Sequence, residues 1–379
     1  EQTIRLFFTI FISAISLNIS ANDLLINPAI EKVIVEKMAS DYPEWQPPLE
    51  QADLLKITEL KLTDLALTNL DGLRHLKNLK ALDLSQNNVT QLDEIRGLNQ
   101  LEQLLIDDNQ LTSLAGLEQM KKMRVISATN NHIKNIDSVA YMDALIGITL
   151  GNNLVEDLSP FEALLDIKAI WIPGNRLTDI SPLQNLTALK ILVLAENFIH
   201  NFDALTNKVN MVDLGLFNCN ISDLYMLRNM QKLERLTLQN NRISDLSSLE
   251  KLSSLAWLDI RNNHISSLKP LAANKQLSKL FASRNQISDL SALSDLTDLK
   301  WFIADANNLS SIPSGVLPDS IEQISISNNQ LDDDDFEVLK SGLAADTDIT
   351  FYPQANQSIF NKLDSEQETG DIDAATLNN

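Results

Sequence analysis

Leu79-Lys-Ala-Leu82-Asp-Leu84-Ser-Gln-Asn87-Asn-Val89 decides the fold. It has the form LxxLxLxxNxV and returns every 22 residues without a slip. Starting from Asn87, the same slot holds Asn109, Asn131, Asn153, Asn175, Asn197, Cys219, Asn241, Asn263, Asn285, Asn307 and Asn329, and one step earlier it holds Leu65. That makes thirteen units with no insertion between them. A fixed period of this size implies a solenoid, in which each unit buries its apolar side only against its neighbours.

The spacing within a unit sets its local structure. Leu82-Asp83-Leu84 alternates with period two, as a strand does, so Leu82 and Leu84 turn inward and Asp83 outward. From Val89 the apolar residues Leu92, Ile95, Leu98 and Leu101 fall at every third position. Three residues per turn is 3₁₀ spacing. The expected architecture is therefore an α/β solenoid with a parallel strand on the concave side of each coil and a 3₁₀-type segment on the convex side. With strands about 4.8 Å apart, thirteen units make a curved sheet roughly 60 Å long. The repeated Asn has a structural task, because one amide can both accept from and donate to the backbone where the chain turns out of the strand. Cys219 in that slot reads as a small buried residue rather than a reactive thiol.

The LxxLxLxxN pattern resembles leucine-rich repeats over residues 57–331. Two further stretches narrow the resemblance to bacterial internalin-like proteins. One is Leu49-Glu-Gln-Ala-Asp-Leu54-Leu-Lys-Ile57-Thr-Glu-Leu60 with Leu70-Asp-Gly-Leu73, similar to that family's junction of cap and first repeat; the other is Ile180-Ser-Pro-Leu183. The resemblance implies a helical N-terminal cap, a leucine-rich repeat horseshoe and a protein ligand on the concave face. It also implies further domains and a wall anchor, which are not seen in this sequence.

The flanks fit that scheme. Arg5 precedes the apolar run 6–17, and Asn18-Ile-Ser-Ala21 offers a small residue for cleavage, so residues 1–21 read as an export signal; a buried first helix is the alternative. Residues 22–56 form the N-terminal cap and linker: Asn27-Pro28 starts a helix with Ile30, Val33, Ile34 and Met38 on one face, ended by Asp41-Tyr-Pro43. Along the back, Asp157, Asp179, Asp223, Asp245 and Asp289 stand where a carboxylate caps a helical turn. Residues 312–321, rich in Pro, depart from that back. Residues 332–353 form a C-terminal cap, with Asp332 to Asp335 opening a helix at its positive end and Ile349-Thr-Phe351-Tyr-Pro353 as an edge strand. Residues 354–379 form an acidic, flexible tail.

Composition excludes several functions. A formal charge of −21 argues against nucleic acid or an anionic membrane as partner. With one cysteine and four scattered histidines there is no disulfide framework, zinc site or catalytic triad, so no cofactor, metal or enzymatic activity is expected. Function then rests on what the frame does not require. The outward strand positions carry Val125, Trp171, Val193, Phe217, Trp257, Phe281, Trp301 and Ile303, including three of the four tryptophans, interleaved with Asp213, Arg235, Asp259, Arg261, Lys279, Arg284 and Asp305. Aromatics beside Arg have the composition of a binding hot spot. The expected ligand site is Trp171, Val193, Phe217, Arg235, Trp257, Asp259, Arg261, Phe281, Trp301 and Ile303, between the sixth and twelfth strands. The alternatives are bulky residues that merely cover the sheet, or a glycan held by the tryptophans. The expected protein is a monomeric, exported bacterial adhesion or recognition module without a membrane span in its mature form, secreted, periplasmic or on the cell surface. The competing reading is a cytosolic regulatory scaffold, which the 22-residue repeats also resemble through the leucine-rich subunit of a protein phosphatase.

Overall fold

The computed structural model describes residues 24–354. The expected export signal and acidic tail fall outside the described residues, apart from Gln354. The described chain forms one parallel sheet of fourteen strands in sequence order. These are β1 (Glu59–Lys61), β2 (Ala81–Asp83), β3 (Gln103–Leu105), β4 (Val125–Ser127), β5 (Gly147–Thr149), β6 (Ala169–Trp171) and β7 (Ile191–Val193), then β8 (Asp213–Gly215), β9 (Arg235–Thr237), β10 (Trp257–Asp259), β11 (Lys279–Phe281), β12 (Trp301–Ile303), β13 (Gln323–Ser325) and β14 (Asp348–Thr350). From β1 to β13 each strand pairs with the next at an offset of 22 residues, so equivalent positions stand side by side in rows, as Leu60, Leu82 and Leu104 do. This is the expected leucine-rich repeat horseshoe.

The inward row is closed: Leu82, Leu104, Ile126, Ile148, Ile170 and Leu192 are each at most 1% exposed. Among the described residues ten 3₁₀ segments, from Leu73–His75 to Ser291–Asp295, form the back. Their carboxylates act as read from the sequence. Asp179 accepts from the Ser181 backbone N–H and hydroxyl, both at 2.8 Å, and these bonds hold its carboxyl below the usual carboxylate range. The third coil departs from the pattern, because its back has no 3₁₀ turn. Ser113 there forms a bridge with Asn135, and Gly116, at φ +104°, donates its N–H to the Glu118 carboxylate at 3.0 Å. A Cβ on Gly116 would meet the Leu92 carbonyl oxygen at 3.0 Å, which adds to the left-handed backbone in favouring glycine. Residues 312–321 likewise lack a 3₁₀ segment.

The asparagine ladder works as a repeated clamp. Asn131 accepts from the Leu111 N–H at 3.0 Å and donates to the carbonyls of Ile106, Ala128 and Thr129 at 2.9–3.3 Å. The residue ahead of the slot is left-handed, with φ of 52–60° at Gln86, Asn130, Asn152 and Asn240 among others. Asn tolerates that conformation better than most residues, which accounts for the repeated Asn-Asn pairs. Cys219 keeps half of the clamp: its thiol faces the Phe217 and Leu194 carbonyls at 3.4 and 3.7 Å but offers no amide oxygen. Burial pushes its pKa up to about 12, consistent with an unreactive thiol. Where Asn is missing, at Leu65 and Cys219, the following residue also becomes left-handed: Ala66 at 51° and Asn220 at 56°.

Both ends of the stripe are covered. The helix α1 (Pro28–Asp41), capped by Asn27 through the Ala29 N–H at 2.9 Å, buries Ile30, Ile34 and Met38 against the first coil. A four-residue turn of helix, α2 (Gln51–Leu54), leads into β1. At the far end α3 (Asp333–Gly342) starts with a capping box between Asp332 and Asp335. The Asp335 carboxylate also accepts from the Ile312 N–H at 2.8 Å. The four acids are therefore capping and first-turn residues, and no metal-holding cluster of His, Cys, Asp or Glu is found among the described residues.

Candidate functional site: a cation–aromatic band on the concave face

Each strand presents two outward positions, and the 22-residue register aligns them into rows. In the first row Asp213, Arg235, Trp257, Lys279, Trp301 and Gln323 are consecutive neighbours. In the second row Thr237, Asp259, Phe281 and Ile303 are consecutive. Cation and aromatic alternate along the first row, and the side chains interlock. The Arg235 guanidinium lies 3.9 Å from the Trp257 ring centroid, and the Lys279 ammonium 3.6 Å from that of Trp301. Phe281 bridges the two tryptophans, with ring centroids 5.2 Å from Trp257 and 6.5 Å from Trp301. Such pairs are worth about 0.5–2 kcal/mol each and fix the side chains in place.

The carboxylates of the band lie underneath. Asp259 is 0% exposed and is grasped by Arg261, whose Nε lies 3.0 Å from Oδ1 and Nη2 2.7 Å from Oδ2. Arg261 in turn reaches within 5.8 Å of the Phe281 centroid. Asp213 sits 3.8 Å from Arg235, and desolvation, only partly offset by that guanidinium, raises its pKa to about 6. Asp305 is buried by the Ser325 hydroxyl at 2.6 Å and by the N–H and hydroxyl of Ser327, both at 2.8 Å.

The structure thus splits the expected site. Arg235, Trp257, Arg261, Phe281 and Trp301 come together. Lys279, on the outward face by register but outside the expected ligand set, completes them. Three expected contact residues are instead floor: Asp259 at 0%, and Val193 and Ile303 at 3% exposure each. The β-branched side chains are covered by bulkier neighbours in their row, Trp171 beside Val193 and Phe281 beside Ile303. Trp171 is half-buried on β6, four strands from Trp257 and so about 19 Å away. Phe217 follows β8 on the loop side and joins neither cluster. No sequence signal marked the stacking of Arg235 and Lys279, since register fixes the row of a side chain but not its rotamer.

At the opposite end a hollow of about 340 Å³ lies between α1 and β1 to β3, lined by Val33, Ala81 and Leu105 with Lys37, Lys61 and Asp83 around them. The next outward positions there are hydroxyl-rich: Asp107 accepts from Ser127 at 2.7 Å, and Ser127 meets Thr149 at 2.6 Å. Burial raises the pKa of Asp107. Among the described residues no helix is long and apolar enough to cross a membrane.

No protein-family model matches the sequence, and no curated protein matches it. Solved structures do. An internalin, InlF, from Listeria monocytogenes superposes with a TM-score of 0.78 at 26% identity, over 89% of this chain and 100% of that one. The functional domain of InlJ from the same organism, described as including a cysteine ladder, matches at 0.65 and 19% identity, over 81% of this chain and 71% of that one. The ectodomain of the Arabidopsis thaliana receptor kinase GASSHO1/SCHENGEN3, solved in complex with CASPARIAN STRIP INTEGRITY FACTOR 2, matches at 0.68 and 23% identity, over 87% of this chain but 43% of that one. These last two likenesses are of fold alone. Parallel strands in unbroken order, 3₁₀ backs and an asparagine ladder define the chain as a leucine-rich repeat solenoid. Its 22-residue coils, helical cap and likeness to InlF make it internalin-like.

Proposed function

We propose that this chain is a non-enzymatic protein-binding module whose ligand seats on the concave band from β9 to β12. The observation that carries this reading is the interlocked row Arg235–Trp257–Lys279–Trp301 with Phe281 between the rings. The repeat frame requires none of these residues, yet they place Trp and Arg together on a broad surface rather than in a closed pocket. That is the anatomy of a protein interface, not of a small-molecule site. The plant ectodomain with a bound factor is a fold relative in which a partner is already seen. The InlF likeness, together with the leader-like residues 1–21, supports an exported bacterial recognition or adhesion protein.

A capture experiment tests the site. The full chain and its Trp171→Ala/Trp257→Ala/Trp301→Ala variant are immobilised and exposed to host and bacterial surface extracts. The reading expects a partner held by the parent and lost by a variant that melts with the parent; equal capture by both would move the site to the caps or the back. Export is tested by N-terminal sequencing of protein recovered outside the cell. A start near Asn22 is expected, while an uncleaved chain kept in the cytosol would favour the scaffold reading.

A further inference from the structure

The band shows mainly positive charge to its surroundings although the chain carries −21 overall. Its anions are sunk: Asp259 is fully buried in the grip of Arg261, and Asp213 lies against Arg235 with 29% of its side chain exposed. Its cations lie on top of the aromatics, Arg235 on Trp257 and Lys279 on Trp301, and 48% of the Arg235 side chain remains exposed. Two consequences follow. One face of Trp257 and one face of Trp301 are taken by the protein's own cations, which leaves less ring surface for a stacked sugar. The cations themselves are held in fixed positions, so little rotamer freedom remains to be lost when an anion docks.

Their spacing is defined too. Arg235 and Lys279 occupy the same row with one strand, that of Trp257, between them, a separation of about 9.6 Å at the usual strand distance. Resting on the reading of the concave face as the binding site, we propose that the partner is a protein presenting an acidic segment. Its carboxylates recur about every 9–10 Å, one reaching Arg235 and the next Lys279, with an apolar side chain between them against Trp257 and Phe281. In a polyproline-type segment every third residue returns to the same side after about 9.3 Å, which matches that step.

A rigid probe tests both charge and spacing. Fluorescein-labelled (Glu-Pro-Pro)₄ is titrated into the full chain beside (Gln-Pro-Pro)₄, (Lys-Pro-Pro)₄ and (Glu-Pro)₆, the last carrying carboxylates that do not align on one side. The proposal expects (Glu-Pro-Pro)₄ to bind at least tenfold tighter than each of the others and to weaken as salt is raised. Arg235→Gln and Lys279→Gln should each weaken it about tenfold, whereas Arg235→Lys and Lys279→Arg should retain most of the binding, with all four variants melting near the parent. Equal binding of the four peptides, preference for the lysine peptide, no binding by any, or indifference to both Gln substitutions would each overturn it. Tighter binding of a polyuronate than of the peptide would overturn it as well, in favour of a polysaccharide. If the peptides fail while extract capture still depends on Trp257 and Trp301, the concave site stands and the acidic partner falls. If capture also ignores the tryptophans, the site itself lies elsewhere.

Discussion

On β3 and β4 the outward positions are Gln103, Leu105, Val125 and Ser127; on β10 and β11 they are Trp257, Asp259, Lys279 and Phe281. Both pairs hang on the same inward leucines and isoleucines and are clamped by the same asparagine bonds, at 3.0 Å from Leu111 to Asn131 and 2.9 Å from Ile243 to Asn263. The frame is uniform along the coil, and the face it presents is not. In the first half hydroxyls and Asp107 satisfy one another beside the outward apolar residues Leu105 and Val125. In the second half the anions are buried and the aromatics carry cations. A solenoid separates these tasks because each coil contacts only its neighbours, so outward residues can change without disturbing the core.

The largest effects should fall on one half alone. Trp257→Ala and Trp301→Ala are each expected to weaken the captured partner by about 100-fold, the scale of a hot-spot residue, in equilibrium titrations. Leu105→Ala should change affinity by less than about threefold, and Trp171→Ala likewise, since a single residue outside the hot spot contributes little. A Trp171 effect as large as that of Trp257 would extend the site over most of the face and erase the contrast. Next in size are the ladder substitutions. Asn131→Ala and Asn263→Ala each strand one N–H and remove one of the two hydrogen bonds at three carbonyls, at a cost of about 2 kcal/mol. Denaturant unfolding should show similar losses at the two sites; a strongly unequal pair would mean that the frame is not uniform.

Asp213 marks the border of the band and should give a smaller, pH-dependent effect. Its folded pKa of about 6 lies above the usual 3.8, so the native state binds the proton more tightly than the unfolded chain. That contribution stabilises the fold at low pH and is lost as pH rises from about 4 through about 6. Asp213→Asn is therefore expected to melt about 2–4 °C higher than the parent at pH 7.5, with no advantage below pH 4. An advantage that persisted at low pH would contradict desolvation as the cause. The smallest effect is at Cys219. Cys219→Asn restores the missing amide oxygen for the coil before it and should stabilise by about 0.5–1 kcal/mol, read as a shift of the denaturation midpoint.

Much of this was legible in the sequence because the repeat register converts position into place. The strands, the inward row, the ladder, the Asp–Ser turns of the back and both capping helices follow from spacing and from the hydrogen bonds that exposed backbone ends require. The first outward row was legible to the same extent: Trp257 and Trp301 stand on the concave face as expected. What register cannot convey is depth and rotamer. Asp259 and Asp305 share that face, yet one is drawn under Arg261 and the other under two serines. Val193 and Ile303 are outward by alternation and still covered. Lys208 shows the same limit in the core. It fills the slot held by Leu186 and Met230 one coil away, is 0% exposed and donates to the Gln184 carbonyl at 2.8 Å, with burial lowering its pKa to about 8. In the third coil, which lacks the 3₁₀ turn, the Gly116 N–H bonds to the Glu118 carboxylate, a local bond that apolar spacing does not register.

The central claim is that the ligand sits on β9 to β12 and not on the rest of the concave face. The direct test is photo-crosslinking with p-benzoylphenylalanine placed at Phe281 and, separately, at Leu105, with the captured partner present. The account predicts a covalent adduct from position 281 and none from position 105. An adduct at 105, or at both positions with equal yield, would contradict it.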